Sequence, residues 1–328
     1  MMRFIGRRLL LMVPTLIAIS MLSFLIIQLP PGDFLSFYVA NLTQQGEEID
    51  EAEVEAIKAR YGLDKPMPLQ YLTWLWGFIR GDMGRSMQWG ASVESLIADR
   101  LPMSMAISLA SLIFVYLVAI PIGTYSATHQ YSIGDYVFTS VGFIGLAIPN
   151  FFLALVLLYY YYVATGDVVV GFFSREYQDA PWSLARLWDM MKHLWLPTVV
   201  VGTAGTCGLI RVMRANLLDE LQKPYVMVAR SKGLSRRRVL YKYPFRMAIN
   251  PMISTIGWML PTLFGGELLV SLVLNIPTIS PLFVGALLSQ DMFLAGSIVM
   301  IVSSLTVIGT LISDIALGWV DPRIREAI

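Results

Sequence analysis

The sequence is poor in charge, cysteine and histidine, and each shortage excludes a class of protein or site. Only 14% of its 328 residues are charged and 56% are hydrophobic, whereas soluble domains carry about 25% charged residues. The single cysteine, Cys207, excludes an intrachain disulfide and is predicted to be a small packing residue in an apolar stretch. This composition excludes an ordinary soluble domain and indicates a membrane protein.

Catalytic and nucleotide-binding motifs are absent as well. The chain has no Gly-x-x-x-x-Gly-Lys-[Ser/Thr] loop, which would cradle the phosphates of a nucleotide. It also has no His-Glu-x-x-His, Cys-x-x-Cys or Gly-x-Ser-x-Gly motif. We therefore predict that the chain is not an enzyme, that it has no catalytic residue and no metal site, and that it binds no cofactor itself.

Six apolar windows are candidates for membrane-spanning helices, each of which needs about 20 apolar residues. The windows are 9–29, 103–124, 137–160, 194–210, 251–273 and 293–317. The first is too long for a cleavable signal segment and is predicted to be a retained span. Four windows contain a proline that predicts a kink, namely Pro14, Pro121, Pro149 and Pro261.

The charges of the loops orient these windows. Between Arg211 and Arg246 there are ten Lys and Arg residues and two acids, whereas residues 33–100 hold eleven acids and six bases. Loops rich in Lys and Arg stay on the cytoplasmic side. Both termini are therefore predicted to be cytoplasmic, and the two histidines, His129 and His193, fall on opposite sides of the membrane and cannot form one site.

The predicted fold class is an all-α polytopic membrane protein with six transmembrane helices. Residues 1–30 form the N-terminus and first span, and residues 31–100 form an extracytoplasmic segment. Residues 101–328 form a five-helix core with a cytoplasmic loop at 211–250. The short fourth window is expected to depend on Arg211 and Arg214, which would reach the interface from its inner end.

Within the basic loop, the residues predict two short helices joined at a glycine. Pro224 suits the first turn of a helix, and Gly233 suits the position after its end. Ser235 can cap a second helix over 236–243, which Pro244 ends. Two interpretations fit this segment equally well: a helix that lies on anionic lipid, and a docking helix that fits a groove on a cytoplasmic partner.

Motifs along nearly the whole chain resemble those of one family, in the same order. They are Arg7-Arg8-Leu-x-x-x-x-Pro14-Thr15, Pro31-Gly32-Asp33, Tyr61-Gly-Leu-Asp-Lys-Pro66, Gln70-Tyr71-x-x-Trp74, Gly81-Asp-Met-Gly84, Arg100-Leu-Pro102, Ile148-Pro149-Asn-Phe-Phe152, Ala229-Arg-Ser-Lys-Gly-Leu-Ser-Arg-Arg-Arg-Val-Leu240, Arg246-x-Ala-x-x-Pro251 and Asp321-Pro-Arg-Ile-Arg325. The chain resembles the dipeptide and oligopeptide permeases of binding-protein-dependent ABC importers.

The resemblance implies the type I ABC importer permease fold and a role in ATP-driven import of dipeptides or oligopeptides. Its implied partners are a second homologous permease, two ABC ATPase subunits that carry ATP and Mg, and an extracytoplasmic solute-binding protein. The location would be the plasma (inner) membrane of a bacterium or archaeon. The segment that couples to the ATPases would comprise Pro224, Val228, Ala229, Arg230, Ser231, Lys232, Gly233, Leu234, Ser235 and Arg236.

The chain departs from the family pattern at the outer end of the fifth window. Family members carry an acid and a phenylalanine before a Pro-Gly-x-Gly turn, whereas residues 271–280 here lack the glycines, and the acid, Glu267, lies four residues earlier. An ionisable residue within a span is a candidate functional residue. Glu267 and Ser271 are therefore candidates for the substrate path or gate, although Glu267 at the outer interface is the alternative. The departure leaves oligosaccharides open as substrates besides peptides.

Two other classes of function stay open. An ion-coupled secondary transporter is expected to show inverted repeats, and no convincing internal repeat is visible. A membrane-embedded enzyme would need converging catalytic groups, and the spans offer Glu267 and Asp314 near opposite faces.

Overall fold

The computed structural model describes residues 2–28, 64–178 and 180–320, together with positions 39, 54–56, 58 and 59. Throughout this part of the chain the regular structure is helical, and one isolated antiparallel bridge joins Arg85 to Ser92. Motif residues 31–33, 61–63 and 321–325 lie outside the described residues. The helices are α1 (Met2–Gln28), α2 (Met67–Arg80), α3 (Val93–Thr128), α4 (Ile133–Ala147), α5 (Asn150–Thr165), α6 (Leu184–Leu221), α7 (Pro224–Ser231), α8 (Arg236–Lys242), α9 (Pro244–Ala248), α10 (Asn250–Val273), α11 (Ile279–Leu288) and α12 (Met292–Val320).

The candidate spans follow the predicted windows. Within the described residues, α3, α6 and α12 are each long and apolar enough to cross a membrane. If each of two bent pairs of helices is counted as one span, there are five candidate spans. The bent pairs are α4 with α5 and the two halves of α10. The first window coincides with a shorter apolar stretch of α1, Leu10–Ile26.

The kink predicted at Pro149 is a full break. Helices α4 and α5 meet there at 107°. Ile148 is extended, with φ −80° and ψ 123°, because the ring of a proline disfavours helical geometry in the residue before it. The Pro149 carbonyl then accepts hydrogen bonds from the N–H groups of Phe152 and Leu153, both at 3.0 Å, and so starts α5. The third window is therefore two helices rather than one.

Helix α6 is much longer than the window that predicted it. Its 38 residues correspond to about 57 Å at 1.5 Å per residue, so Arg211 and Arg214 lie within the helix rather than at its end. Arg214 also makes a tertiary contact that the sequence did not predict. Its Nε and Nη2 atoms donate to the two carboxylate oxygens of buried Asp135, at 2.9 and 2.8 Å. This forked pair joins α6 to the first turn of α4.

The chain divides into two compact units, and the first comprises Met1–Arg8, Ser104–Pro277 and Thr306–Ile328. Helix α6 is its centre and packs against α4, α5, α9 and α10. The approach of α3 to α6 requires a glycine, because a Cβ at Gly123 would lie 2.7 Å from the Cβ of Met213. Cys207 is buried, in agreement with its predicted packing role.

The second unit comprises Leu9–Met103 and Thr278–Leu305. Its core contains Trp74 of α2, packed with Phe24 of α1. Asp291, at the start of α12, is fully buried. Its carboxylate accepts hydrogen bonds from the Ser86 hydroxyl at 2.5 Å and from the Gln88 N–H at 3.2 Å. Burial raises the pKa of Asp291 above its usual value, so the hydrogen bonds are what hold this acid in the core.

Candidate docking surface and intramembrane carboxylate

The basic loop folds as the predicted pair of short helices, α7 and α8. Pro224 is the first residue of α7, where its missing N–H leaves no hydrogen bond unmade. The chain reverses at Gly233, whose φ of +75° lies in the left-handed region that glycine occupies without a steric penalty. The Gly233 N–H donates to the Arg230 carbonyl at 3.0 Å. Ser235 precedes α8 as predicted, but its side chain makes no capping hydrogen bond.

A small apolar cluster closes the inside of this hairpin. Val226 and Ala229 lie three residues apart on one face of α7 and are buried against Val239 of α8. Leu234 and Tyr243 pack against the same cluster. Of the predicted coupling residues, Ala229 is thus buried in this cluster and Leu234 is partly buried against it, and both help to hold the two helices together.

The outer side of the hairpin is exposed and combines apolar with cationic side chains. We call this side the docking surface, and its exposed members are Pro224, Met227, Val228, Arg230, Ser231, Lys232, Gly233 and Ser235. Arg236, which was also predicted to couple, is exposed as well, but its guanidinium donates to the Thr128 carbonyl at the end of α3, at 3.4 Å, so it lies on the side of α8 that faces α3. Met227 and Val228 are 58% and 54% exposed. In contrast, Val226 and Val239 are buried in the interior of the hairpin. Apolar side chains left outside a closed interior, beside cations, are typical of a surface that a partner covers.

The hairpin is tied to the core of the first unit at both ends. At its start, the Tyr225 hydroxyl donates to a carboxylate oxygen of Glu220, in the last turn of α6. Partial burial, together with this bond to Glu220, raises the pKa of Tyr225, so the phenol stays a neutral donor. At its other end, α9 packs against both α8 and α6. These contacts attach both ends of the hairpin to α6.

Glu267, in α10, lies in the interior of the first unit. Its side chain is 0% exposed, and the Ser104 hydroxyl of α3 donates to Oε1 at 2.7 Å. Full burial excludes a solvated carboxylate at the outer surface of the chain. Ser271 is one turn further along α10 and is also buried, and its carbonyl accepts the Ile276 N–H at 2.8 Å. That bond fixes the turn that ends α10.

A cavity of about 460 Å³ lies beside α10 in the first unit. Small and apolar residues of α6 and α10 form most of its wall, and Gly266, next to Glu267, belongs to it. Its polar members include Asn150 of α5, Arg211 of α6 and Thr255 of α10. Asn150 is part of the motif quoted at the break before α5, so that motif and the α10 segment meet at one cavity.

Neither the contact of Arg214 with Asp135 nor that of Glu267 with Ser104 has a local signal in the sequence. Arg214 and Asp135 are 79 positions apart, and Glu267 and Ser104 are 163 apart, so no local spacing joins either pair. Among the residues that the structure describes, no group of three or more His, Cys, Asp or Glu side chains is arranged to hold a metal ion.

Comparison with protein families gives two matches that together span most of the chain. The family described as "Binding-protein-dependent transport system inner membrane component" matches residues 119–326. The N-terminal family of the same membrane component matches residues 1–110. The docking surface, the broken pair α4 and α5, and Glu267 all lie within the first match.

Three similar proteins match this chain over nearly their whole length. The oligopeptide transport system permease protein AppB of Bacillus subtilis is 36% identical over 326 residues, which cover 99% of this chain and 100% of that protein. The dipeptide transport system permease protein DppB of Escherichia coli K12 is 30% identical, with 99% of each chain covered. The peptidoglycan transport system permease protein YejB of Agrobacterium fabrum is 29% identical, with 98% and 97% covered.

The Ser104 hydroxyl is expected to stabilise the fold by holding Glu267. Ser104→Ala removes a donor from a buried carboxylate and should lower the free energy of unfolding by about 1–3 kcal/mol. Thermal unfolding of the purified chain in mild detergent measures this change.

Ser108→Ala is the matched control. Ser108 lies one turn along α3 and is equally buried, and its hydroxyl has no hydrogen-bond partner within the described part of the chain. Its removal should change stability little. Equal destabilisation by the two substitutions would contradict the assigned role of Ser104.

Proposed function

Since this chain belongs to the family of inner-membrane components of binding-protein-dependent transport systems, we propose that it forms half of the pore of an ATP-driven importer of dipeptides and oligopeptides. As a member of that family it is a permease subunit, a multi-pass protein of the inner membrane, and is not itself catalytic. Family membership alone does not give the topology, the assembly, the coupling segment or the substrate, and each of these is proposed below.

The proposed topology has six spans and both termini in the cytoplasm, in the type I importer arrangement. The spans are α1, α3, the broken pair α4 and α5, α6, α10 and α12. The excess of Lys and Arg between Arg211 and Arg246 supports the placement of the hairpin in the cytoplasm. The membrane is the plasma membrane of a bacterium or an archaeon.

The proposed assembly contains this chain, a second homologous permease, two ABC ATPase subunits and an extracytoplasmic solute-binding protein. The ATPases bind ATP and Mg, so the chemistry of hydrolysis lies outside this chain. The permease pair forms the pore, and the binding protein delivers the substrate to its outer side.

The observation that carries the coupling role is the exposure of Met227 and Val228 on a hairpin with a closed interior. A partner that covers this docking surface would bury two apolar side chains and would contact the cations Arg230 and Lys232. Because α9 packs against both α8 and α6, motion of the ATPases would move α6 as a rigid element. Closure of the ATPases on ATP would open the pore outward, and hydrolysis would reset it.

The substrate is proposed to pass the cavity beside α10, with Glu267 and Ser271 in the path or its gate. The relatives are named for oligopeptide, dipeptide and peptidoglycan transport, which supports a peptide-containing substrate. An importer of oligosaccharides or another small solute, with the same architecture, is the alternative. An ion-coupled secondary transporter explains neither the docking surface nor the family match.

Val228→Glu should release the ATPase subunits. The substitution places a carboxylate in the apolar part of the docking surface, where covering it requires desolvation. We expect about a thirtyfold loss in affinity for the ATPase subunits, which corresponds to the roughly 2 kcal/mol of a single interface hot spot, measured as their loss from the tagged chain purified in mild detergent.

Val168→Glu is the matched control for this experiment. Val168 lies between α5 and α6 and is 47% exposed, so the same substitution tests for a general effect of added charge. It should retain the ATPases at wild-type levels. Retention of the ATPases by Val228→Glu would contradict the docking role.

Gly233→Val should uncouple hydrolysis from uptake. A branched residue at a φ of +75° costs about 1–2 kcal/mol and distorts the reversal between α7 and α8, although a Cβ there would meet no atom within 4 Å. In proteoliposomes we expect about tenfold less uptake per ATP hydrolysed. Gly233→Asn should stay near wild type, because asparagine tolerates this conformation. Normal coupling in the valine variant would refute the proposal.

The substrate class can be determined with the reconstituted transporter and its binding protein. Labelled dipeptides and oligopeptides should enter proteoliposomes only with ATP, and unlabelled peptide should compete while oligosaccharides should not. Competition by oligosaccharides alone would replace the peptide proposal by its alternative. Uptake driven by a proton or sodium gradient without ATP would favour the secondary transporter.

A further inference from the structure

A second cavity in the first unit lies at the other side of α8. Its volume is about 640 Å³, and it is bounded by the end of α3, by α8 and by the start of α9. We call it the interfacial groove. Its apolar wall contains Ile120, Pro121, Leu240 and Phe245, and its polar rim contains Tyr125, Thr128, His129, Arg236, Arg237 and Tyr241.

The rim of the interfacial groove is cationic, and none of the described residues that line it is acidic. Arg236 and Arg237 are both exposed, and Arg236 donates to the Thr128 carbonyl at 3.4 Å. In the part of the chain described by the structure, the side-chain ion pairs are Arg214 with Asp135 and His193 with Asp189. Neither arginine of the rim takes part in one. Both guanidinium groups are therefore available to an external anion.

Aromatic side chains shape the remainder of the rim. Tyr125 and His129 stack with their ring centroids 4.6 Å apart, and His129 Nδ1 lies 3.1 Å from the Thr128 hydroxyl oxygen. Tyr241 packs against Phe245, with centroids 5.3 Å apart. The rim thus offers polar and aromatic groups above an apolar wall, which is the pattern of side chains that face the boundary between headgroups and acyl chains.

The position of the groove along α3 agrees with that boundary. Ile120 and Pro121 lie in the last turn of the apolar window 103–124, and His129 follows the end of α3. In the proposed orientation this end of α3 reaches the cytoplasmic face, on the same side as the basic loop.

We propose that the interfacial groove binds an anionic phospholipid of the cytoplasmic leaflet. Its phosphate would be held by Arg236 and Arg237, because guanidinium groups bind phosphate oxygens through paired hydrogen bonds. Its acyl chain would lie along Ile120, Pro121, Leu240 and Phe245. Basic pockets between helices on the cytoplasmic side are sites for anionic headgroups. The apolar wall is what distinguishes a lipid from a free phosphate or a nucleotide.

The lipid would bridge two elements with different roles. Arg236 and Arg237 begin α8, which belongs to the proposed coupling hairpin, and Ile120 and Pro121 belong to α3. A lipid in the groove would therefore link the hairpin to α3. The proposal depends on the cytoplasmic orientation of the basic loop but on no particular transported substrate.

The test is lipid binding to the delipidated full-length chain, purified with the subunits that accompany it, by native mass spectrometry. The probes are phosphatidylglycerol, phosphatidylcholine and glycerol 3-phosphate. The double variant R236Q/R237Q should lose about twenty-fivefold in affinity for phosphatidylglycerol, at about fivefold per arginine. Phosphatidylcholine should bind weakly to every form, and glycerol 3-phosphate should not displace phosphatidylglycerol.

The matched control is R238Q/K242Q, which removes the same charge from exposed positions on α8 that line neither the groove nor the docking surface. It should bind phosphatidylglycerol as the wild type does. Equal affinity in R236Q/R237Q and wild type, or an equal loss in both double variants, would overturn the proposal. Full displacement by glycerol 3-phosphate would overturn it too, because it would show that the groove recognises soluble phosphate.

Crosslinking identifies the occupant directly. Tyr241 lines the groove and is 56% exposed, so a photoreactive benzoylphenylalanine at this position would report what lies against it in membranes. A phospholipid adduct supports the proposal, whereas an adduct with an ATPase subunit alone would overturn it. Uptake and ATPase retention are measured separately, so failure of the lipid site would leave the proposed transport function standing.

Discussion

The structure of the first unit depends on the packing of α6. This helix contacts α4, α5, α9 and α10, and side chains along its length, from Leu196 to Leu217, are fully buried. In a bilayer the attraction between helices comes from close contact rather than from the exclusion of water, which explains the requirement for a glycine at Gly123 beside Met213. One continuous helix thereby joins the interior of the membrane bundle to the hairpin that follows it, and the proposed coupling is a property of that continuity.

The windows, the two short helices and the reversal at Gly233 were predictable because their signals are local. An apolar run, a proline at a helix start and a glycine after a helix end each act over a few residues. The length of α6 was missed because charged residues within a long helix look like the end of an apolar window. The partners of Asp135 and Glu267 were missed because each is on another helix. Their pairing depends on tertiary packing, which leaves no local pattern in a single sequence.

The arginines of this chain have two different roles in the structure. Arg214 is committed to Asp135 in a forked pair, so its charge is neutralised within the chain. Arg236 and Arg237 have no such partner among the described residues and face the interfacial groove. The basic loop was compatible from its sequence with either a lipid surface or a protein partner. In the structure the two possibilities correspond to two different surfaces. The apolar and cationic outer side of α7 suits a protein partner, and the groove between α8 and α3 suits a lipid.

The closed interior of the hairpin has a consequence for how such transporters diversify. Val226, Ala229 and Val239 hold α7 and α8 together without help from the side chains that point outward. Substitutions at Met227, Val228 or Arg230 can therefore accumulate without unfolding the hairpin. If the ATPases dock on this surface as proposed, a duplicated copy of this permease could exchange one ATPase for another through a few surface changes, while its path through the membrane stayed as it was.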